Sequence, residues 1–224
     1  AQKVPSSSSS SPKCSSSQMS TEAENSITSH FKINTVFDFE VHGRSLMIVT
    51  RKGQPQDVEL NKEDWIGVTK VKFQLGKYTL KKQDRHALEY VWESLEDRVS
   101  GLKVRFVKKE ISSASLINLL PLLLKKAKTL EKIDIDLGQC RVSDQAFGNL
   151  MEFYISQAAN LKRLSLDLSF SSITNKGLES FVKYGVDILK PIIWFKLDLK
   201  MAKINDEMLI NMFTAMPNVK NFRF

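Results

Sequence analysis

Five hydrophobic frames of the form apolar-x-x-apolar-x-apolar-x-apolar recur in this chain at one constant interval of thirty-one positions. They are Val68/Val71/Phe73/Leu75, Val99/Leu102/Val104/Phe106, Leu130/Ile133/Ile135/Leu137, Leu161/Leu164/Leu166/Leu168 and Ile192/Phe195/Leu197/Leu199. Alternation with a period of two is the mark of a half-buried strand, and its return at a fixed interval is the mark of an internal repeat. A shorter frame, Val219/Phe222/Phe224, follows the fifth at a slightly closer interval and predicts a last strand, Val219 to Phe224.

The second half of each unit repeats as well. Twelve residues after each frame start stand Leu80, Ile111, Val142, Ile173 and Ile204. Ser112-Ser113, Ser143-Asp144, Thr174-Asn175 and Asn205-Asp206 follow in four units, and short oxygen-bearing side chains suit the orphan amides of a first helical turn. Leu116, Phe147, Leu178 and Leu209 lie at offset 17, and Leu88, Leu119, Leu150, Phe181 and Met212 at offset 20, the spacing of one helical face. Each unit therefore reads as strand, loop, helix. Stacking such units predicts an α/β solenoid, with a curved parallel sheet on the concave side and helices on the convex side.

Three segments are expected. Residues 1–30 are serine-rich and poor in large apolar side chains, so they cannot offset their own ordering entropy and read as a flexible tail. Residues 31–64 read as a β-hairpin cap. In it Phe37, Phe39 and Val41 precede His42-Gly43-Arg44, and Leu46 and Ile48 follow, with a further short strand at Val58 to Leu60. Residues 65–224 form the solenoid, whose first open edge the hairpin would cover.

The stretches Leu161-Lys-Arg-Leu-Ser-Leu-Asp-Leu-Ser with Ile173-Thr-Asn-Lys-Gly-Leu178, and Leu130-Glu-Lys-Ile-Asp-Ile-Asp-Leu with Val142-Ser-Asp-Gln-Ala-Phe147, resemble the leucine-rich repeat family and its ribonuclease-inhibitor-like subclass. The resemblance covers about residues 65 to 224. Where that family commonly places a turn-bonding Asn, this chain has Tyr78, Lys109, Cys140, Ser171 and Ala202, so no asparagine ladder runs through the stack. What the resemblance implies is a scaffold whose sheet face binds protein partners; it does not name them.

Outward strand positions line up in columns about 4.8 Å apart per strand. At offset 6 the column runs Gln74, Arg105, Asp136, Asp167, Asp198, and at offset 4 it runs Lys72, Lys103, Asp134, Ser165, Lys196. The face is basic toward its first units and acidic later. Its functional reading is a groove for a basic protein segment, and the bland one is that aspartate is a common solvated filler on such strands. A metal site is not expected, because divalent cations want converging ligands rather than a straight row. The last strand, with Val219, Phe222 and Phe224, is expected to present an unshielded edge for a partner or for edge-to-edge contact with a second copy.

The net charge of +8 is uneven: residues 130–224 hold twelve Lys/Arg against eleven Asp/Glu, which leaves +7 on residues 1–129. Lys77, Lys81, Lys82 and Arg85 cluster there as candidate phosphate contacts, so RNA is a rival partner, though not the favoured one. Catalysis is not expected. The three histidines, His30, His42 and His86, accompany no nucleophile motif, and neither glycine-rich phosphate loops nor clustered Cys/His ligands occur, so no cofactor is expected. Cys14 and Cys140 give no disulfide framework, which suits a reducing compartment, with Cys140 a small buried apolar residue.

No apolar stretch is long enough to span a bilayer, since Leu116 to Leu124 is interrupted by Asn118 and Pro121. No secretion signal opens the chain, which begins on Ala1 and so reads as a processed product, a fragment or a renumbered chain. The expectation is an intracellular protein, mitochondrial or cytoplasmic and not secreted. Its expected role is that of a non-enzymatic structural subunit of a larger assembly, such as a respiratory or ribosomal complex, held by its tail, its C-terminal edge and its sheet face. A soluble adaptor that recognises a protein ligand is the alternative, and tail deletion separates the two.

Overall fold

The structure, a computed structural model, describes residues 28–33, 36–51, 56–75, 82–95, 99–106, 113–189, 191–216, 219 and 221–223. Strands are β1 (Thr28–Ile33), β2 (Val36–His42), β3 (Ser45–Arg51), β4 (Gln56–Asn61), β5 (Lys70–Leu75), β6 (Gly101–Phe106), β7 (Lys132–Asp136), β8 (Arg163–Asp167), β9 (Trp194–Asp198) and β10 (Asn221–Arg223). Helices are α1 (Lys82–Ser94), α2 (Ser113–Leu123), α3 (Asp144–Asn149), α4 (Asn175–Leu189) and α5 (Asp206–Thr214).

Eight strands form one sheet in the order β10-β9-β8-β7-β6-β5-β3-β2, parallel throughout except where β2 returns antiparallel on β3. The fold is thus α/β with a mostly parallel sheet, as the frames predict. From β5 to β9 the register advances by the repeat interval at every strand: Lys70 faces Gly101, Gly101 faces Lys132, Lys132 faces Arg163 and Arg163 faces Trp194. β10 follows at the closer interval of the last frame, with Asn221 facing Trp194.

One difference concerns shape. The sheet is open and not curled, so the concave and convex surfaces expected from the sequence reduce to an open face and a helix-covered face. Curling needs helices to hold neighbouring units wider apart than the strands do. At the N-terminal edge β2 and β3 are joined by a hairpin with no crossover helix to do so.

The frame residues supply the core. Val71, Phe73 and Leu75 of β5, Leu102 and Val104 of β6, Ile133 and Ile135 of β7, Leu164 and Leu166 of β8, and Phe195 and Leu197 of β9 are all buried in one cluster. Right-handed crossovers that always step in the same direction put every helix on the same face of the sheet. Consecutive helices accordingly touch from α1 through α5, and Leu88, Trp92, Leu116, Phe147, Leu178, Phe181 and Met212 join the core from them, with Leu150 just past the end of α3. Aromatic rings bridge the layers, with Trp92 5.7 Å from Phe73 and Phe181 5.5 Å from Phe195 between ring centroids.

Two helix starts use the expected caps: Ser143 Oγ accepts from the Ala146 amide at 3.3 Å, and Asn205 Oδ1 from the Met208 amide at 2.9 Å. The β2–β3 turn uses Gly43 at φ +59°, and β3 pairs with β5, which puts the hairpin at the sheet edge. β4 lengthens the expected Val58 to Leu60 strand and pairs antiparallel with β1 as a separate two-stranded sheet, packed on α1 through Phe31 and Tyr90 at 5.3 Å. β1 begins at Thr28, inside the segment expected to be tail, because β4 supplies the hydrogen bonds that its weak polar alternation does not advertise. Residues 1–27 lie outside the described residues. Among the described residues no helix is long and apolar enough to cross a membrane.

Candidate interaction surface

Register and alternation together build the open face of the sheet. Residues on either side of each buried position point away from the helices, so three columns cross the strands. The first runs Lys70, Gly101, Lys132, Arg163, Trp194; the second Lys72, Lys103, Asp134, Ser165, Lys196; the third Gln74, Arg105, Asp136, Asp167, Asp198. The structure therefore brings the expected residues Lys103, Arg105, Asp134, Asp136, Asp167 and Asp198 together on one face.

On this face, which the sequence reads as basic toward its first units and acidic later, the carboxylates are already engaged. Lys103 Nζ lies 2.7 Å from Asp134 Oδ2, and Arg105 Nε lies 3.4 Å from Asp136 Oδ2. Where basic units meet acidic ones, the two columns thus pair across the β6–β7 register. Each aspartate of the third column also caps its own turn: Asp136 Oδ1 accepts from the Gly138 amide at 3.2 Å, and Asp198 Oδ1 from the Lys200 amide at 3.1 Å. Asp167 Oδ1 accepts from both the amide and the hydroxyl of Ser169, at 3.0 and 2.7 Å. A carboxylate that bonds the amide two residues on is the Asx turn. Burial is the main cause that raises the Asp136 pKa, with the charges of Asp167 and Asp134 adding to it and the Gly138 amide and Arg105 opposing.

The capped turns share a second feature. Gln139, Phe170 and Met201, equivalent positions of three successive units, lie in the left-handed region at φ +61°, +54° and +62°. The turn that holds each is closed by a hydrogen bond, Cys140 to Leu137, Ser171 to Leu168 and Ala202 to Leu199, and the Gln139 and Phe170 amides reach forward to the Ser169 and Lys200 carbonyls. Left-handed backbone lets one turn bond the next, and the cost falls on residues with a β-carbon. Cys140, in the first of these turns, is buried, and burial chiefly, with the charges of Asp136 and Asp167, pushes its thiol up to about 11.

The first column went unnoticed in the sequence. Lys70, Lys132 and Arg163 are exposed and Trp194 half-buried, and these four with Lys72 and Lys196 make no ion pair among the described residues. Parity was the available signal, since Lys70, Lys132 and Arg163 stand two places before the residues singled out at offset 4. The open face is thus positive along the strand starts and, from β7 onward, negative along the strand ends.

Other expected residues fall elsewhere. Val219 is half-buried against the core, β10 pairs with β9 in parallel with Phe222 in register with Phe195, and the Phe222 side chain and Phe224 lie outside what is described. Lys77 and Lys81 also lie outside the described residues; Lys82 opens α1 and Arg85 is half-buried on it, apart from the sheet face. His42 is exposed with Nε2 3.3 Å from Glu40 Oε2, and His30 and His86 are exposed. A cleft of about 480 Å³ opens beside β2 and β4, lined by Phe39, Val41, Val58, Leu60 and Trp65. Among the described residues no three His, Cys, Asp or Glu side chains are grouped to hold a metal ion.

No family model matches the chain, and no curated protein matches it.

Proposed function

We propose that the chain is a non-enzymatic interaction scaffold of the leucine-rich repeat type, a subunit that offers the open face of its sheet to a protein neighbour in a larger assembly. The observation that supports this reading is the constant register from β5 to β9, which lays helices over one face and leaves three columns of polar side chains on the other. An array so arranged has a broad, rigid surface whose side chains differ while its backbone does not, the design that suits recognition of an extended partner. In this reading the units form a short solenoid of the ribonuclease-inhibitor-like kind, and an intracellular setting, in a mitochondrial or cytoplasmic complex, suits it.

Native purification of the tagged full chain, with identification of co-migrating proteins, tests the proposal. Ser165 is buried among its neighbours in the middle of the open face, so Ser165→Tyr raises a ring above them without altering charge, and Asn118→Tyr adds one at an exposed position of α2. Partners should be lost with Ser165→Tyr and kept with Asn118→Tyr. A chain that purifies alone, or partners indifferent to Ser165→Tyr, would overturn it.

A further inference from the structure

The open face is unequally satisfied, and the inequality specifies what it fits. Its four carboxylates are bound by the chain itself: Asp134 by Lys103, Asp136 by Arg105 and the Gly138 amide, Asp167 by Ser169, and Asp198 by the Lys200 amide. Apart from Lys103 and Arg105, its cations are not, among the described residues. Lys70, Lys72, Lys132, Arg163 and Lys196 have no carboxylate partner among the described residues, and all five sit in the first two columns, over the strand starts. Lys132 and Arg163 are direct neighbours in the β7–β8 register, where like charges repel unless an anion lies between them.

Resting on the scaffold proposal, we infer that the strand-start strip from Lys70 to Trp194 docks an acidic polypeptide segment. Four register steps separate its ends, about 19 Å at the spacing of paired strands. An extended segment of about six residues covers that distance, and carboxylates on alternate residues come about 6.6 Å apart, close enough to share the five cations. Arg163 offers a planar fork to a carboxylate and Lys132 a point charge beside it. Trp194, half-buried at the end of the first column, gives the segment an apolar stop.

Charge on the rest of the face separates a peptide from a nucleic acid. Asp134 stands within the second column, and Asp136, Asp167 and Asp198 lie two places beyond that column along the strands, about 6.6 Å away and within the roughly 8 Å screening length of physiological salt. A polyphosphate carries charge at every step and meets that repulsion. A polypeptide places its carboxylates over the cations and leaves neutral residues over Asp134.

Fluorescence anisotropy with the full chain tests this, using a labelled twelve-residue peptide of alternating glutamate and serine, a polylysine peptide and an oligouridylate of the same length at about 0.15 M salt. The glutamate–serine peptide should bind most tightly, and Lys132→Glu with Arg163→Glu should weaken it at least tenfold. Lys132→Ser with Arg163→Ser, free of introduced charge, should weaken it several-fold, and Lys176→Glu, on α4, should leave it unchanged. Tighter binding of the oligouridylate or of polylysine, or double variants that bind as the parent does, would overturn the inference. Those outcomes leave the scaffold reading standing if Ser165→Tyr still strips the native partners; loss of both results fells both.

Discussion

Replacing Met201 by glycine should make the protein more stable, against the usual direction of a substitution that removes a large side chain. Met201 holds φ +62° and is 71% exposed, so its side chain contributes little burial while its β-carbon suffers left-handed backbone. That conformation costs an L-residue about 1–2 kcal/mol. Glycine escapes the clash but loses about 0.5–1 kcal/mol more backbone entropy on folding. A net gain of about 0.5–1 kcal/mol remains, worth roughly 1–4 °C in Tm for a chain of this size. Urea unfolding with an unchanged m-value measures it, and Met201→Ala, which keeps the β-carbon, should sit at the parent midpoint. Phe170→Gly is the internal comparison. The backbone relief is the same at φ +54°, but the Lys200 ammonium lies 5.6 Å from the Phe170 ring centroid, and an exposed cation–π contact is worth about 0.5–1 kcal/mol. Phe170→Gly should therefore fall near zero. A Met201→Gly midpoint at or below that of Met201→Ala would refute the claim that these turns are strained.

Because burial lifts the Asp136 pKa above its ordinary 3.8, the folded chain holds that proton more tightly than the unfolded chain. Its charged form costs stability at neutral pH, and the cost is relieved as pH falls through the folded pKa toward 3.8. Asp136→Asn, which keeps an oxygen for the Gly138 amide, should thus raise the urea midpoint at pH 7, by a margin that shrinks as pH is lowered toward 4; a margin that grows on acidification would refute this. With its thiol pushed up to about 11, Cys140 in a Cys14→Ser background should resist a disulfide reagent at pH 8 until urea is added, and fast native labelling would contradict the burial. Gly177→Ala should destabilise by about 1–2 kcal/mol although alanine is the better helix former, since overpacking costs more than propensity returns. Its β-carbon would stand 2.6 Å from Asp144 Oδ1 and 3.0 Å from Ile173 Cγ2. Asp144→Ala alone should cost about 1–2 kcal/mol, because Asp144 accepts from the Thr174 amide at 2.7 Å and its hydroxyl at 2.6 Å. The two should couple in a double-mutant cycle, and simple additivity would exclude the contact.

The parallel sheet was legible because burial on one face forces the period-two alternation of Leu102, Val104, Ile133, Ile135, Leu164 and Leu166. Ser143 and Asn205 were legible as caps for an equally local reason. β1 was not, since Thr28 to Ile33 depends for its pairing on β4, which arrives only after the whole β2–β3 hairpin, rather than on its own pattern. Left-handed turns at Gln139, Phe170 and Met201 carry no glycine to announce them; the forward hydrogen bonds of the neighbouring turn hold the first two in place. At the candidate surface the columns were visible but their engagement was not. Whether an aspartate waits for a partner or bonds its own turn depends on the amide two residues on, as Asp136 and Gly138 show.

The constant register from β5 to β9 also says how such a chain can lengthen. A duplicated whole unit, inserted within this span, meets hydrogen-bond partners already in phase, whereas an insertion one residue shorter or longer turns the strand it enters to the wrong face. Growth of this protein by whole units preserves its core, and growth that misses the unit by a single residue breaks it.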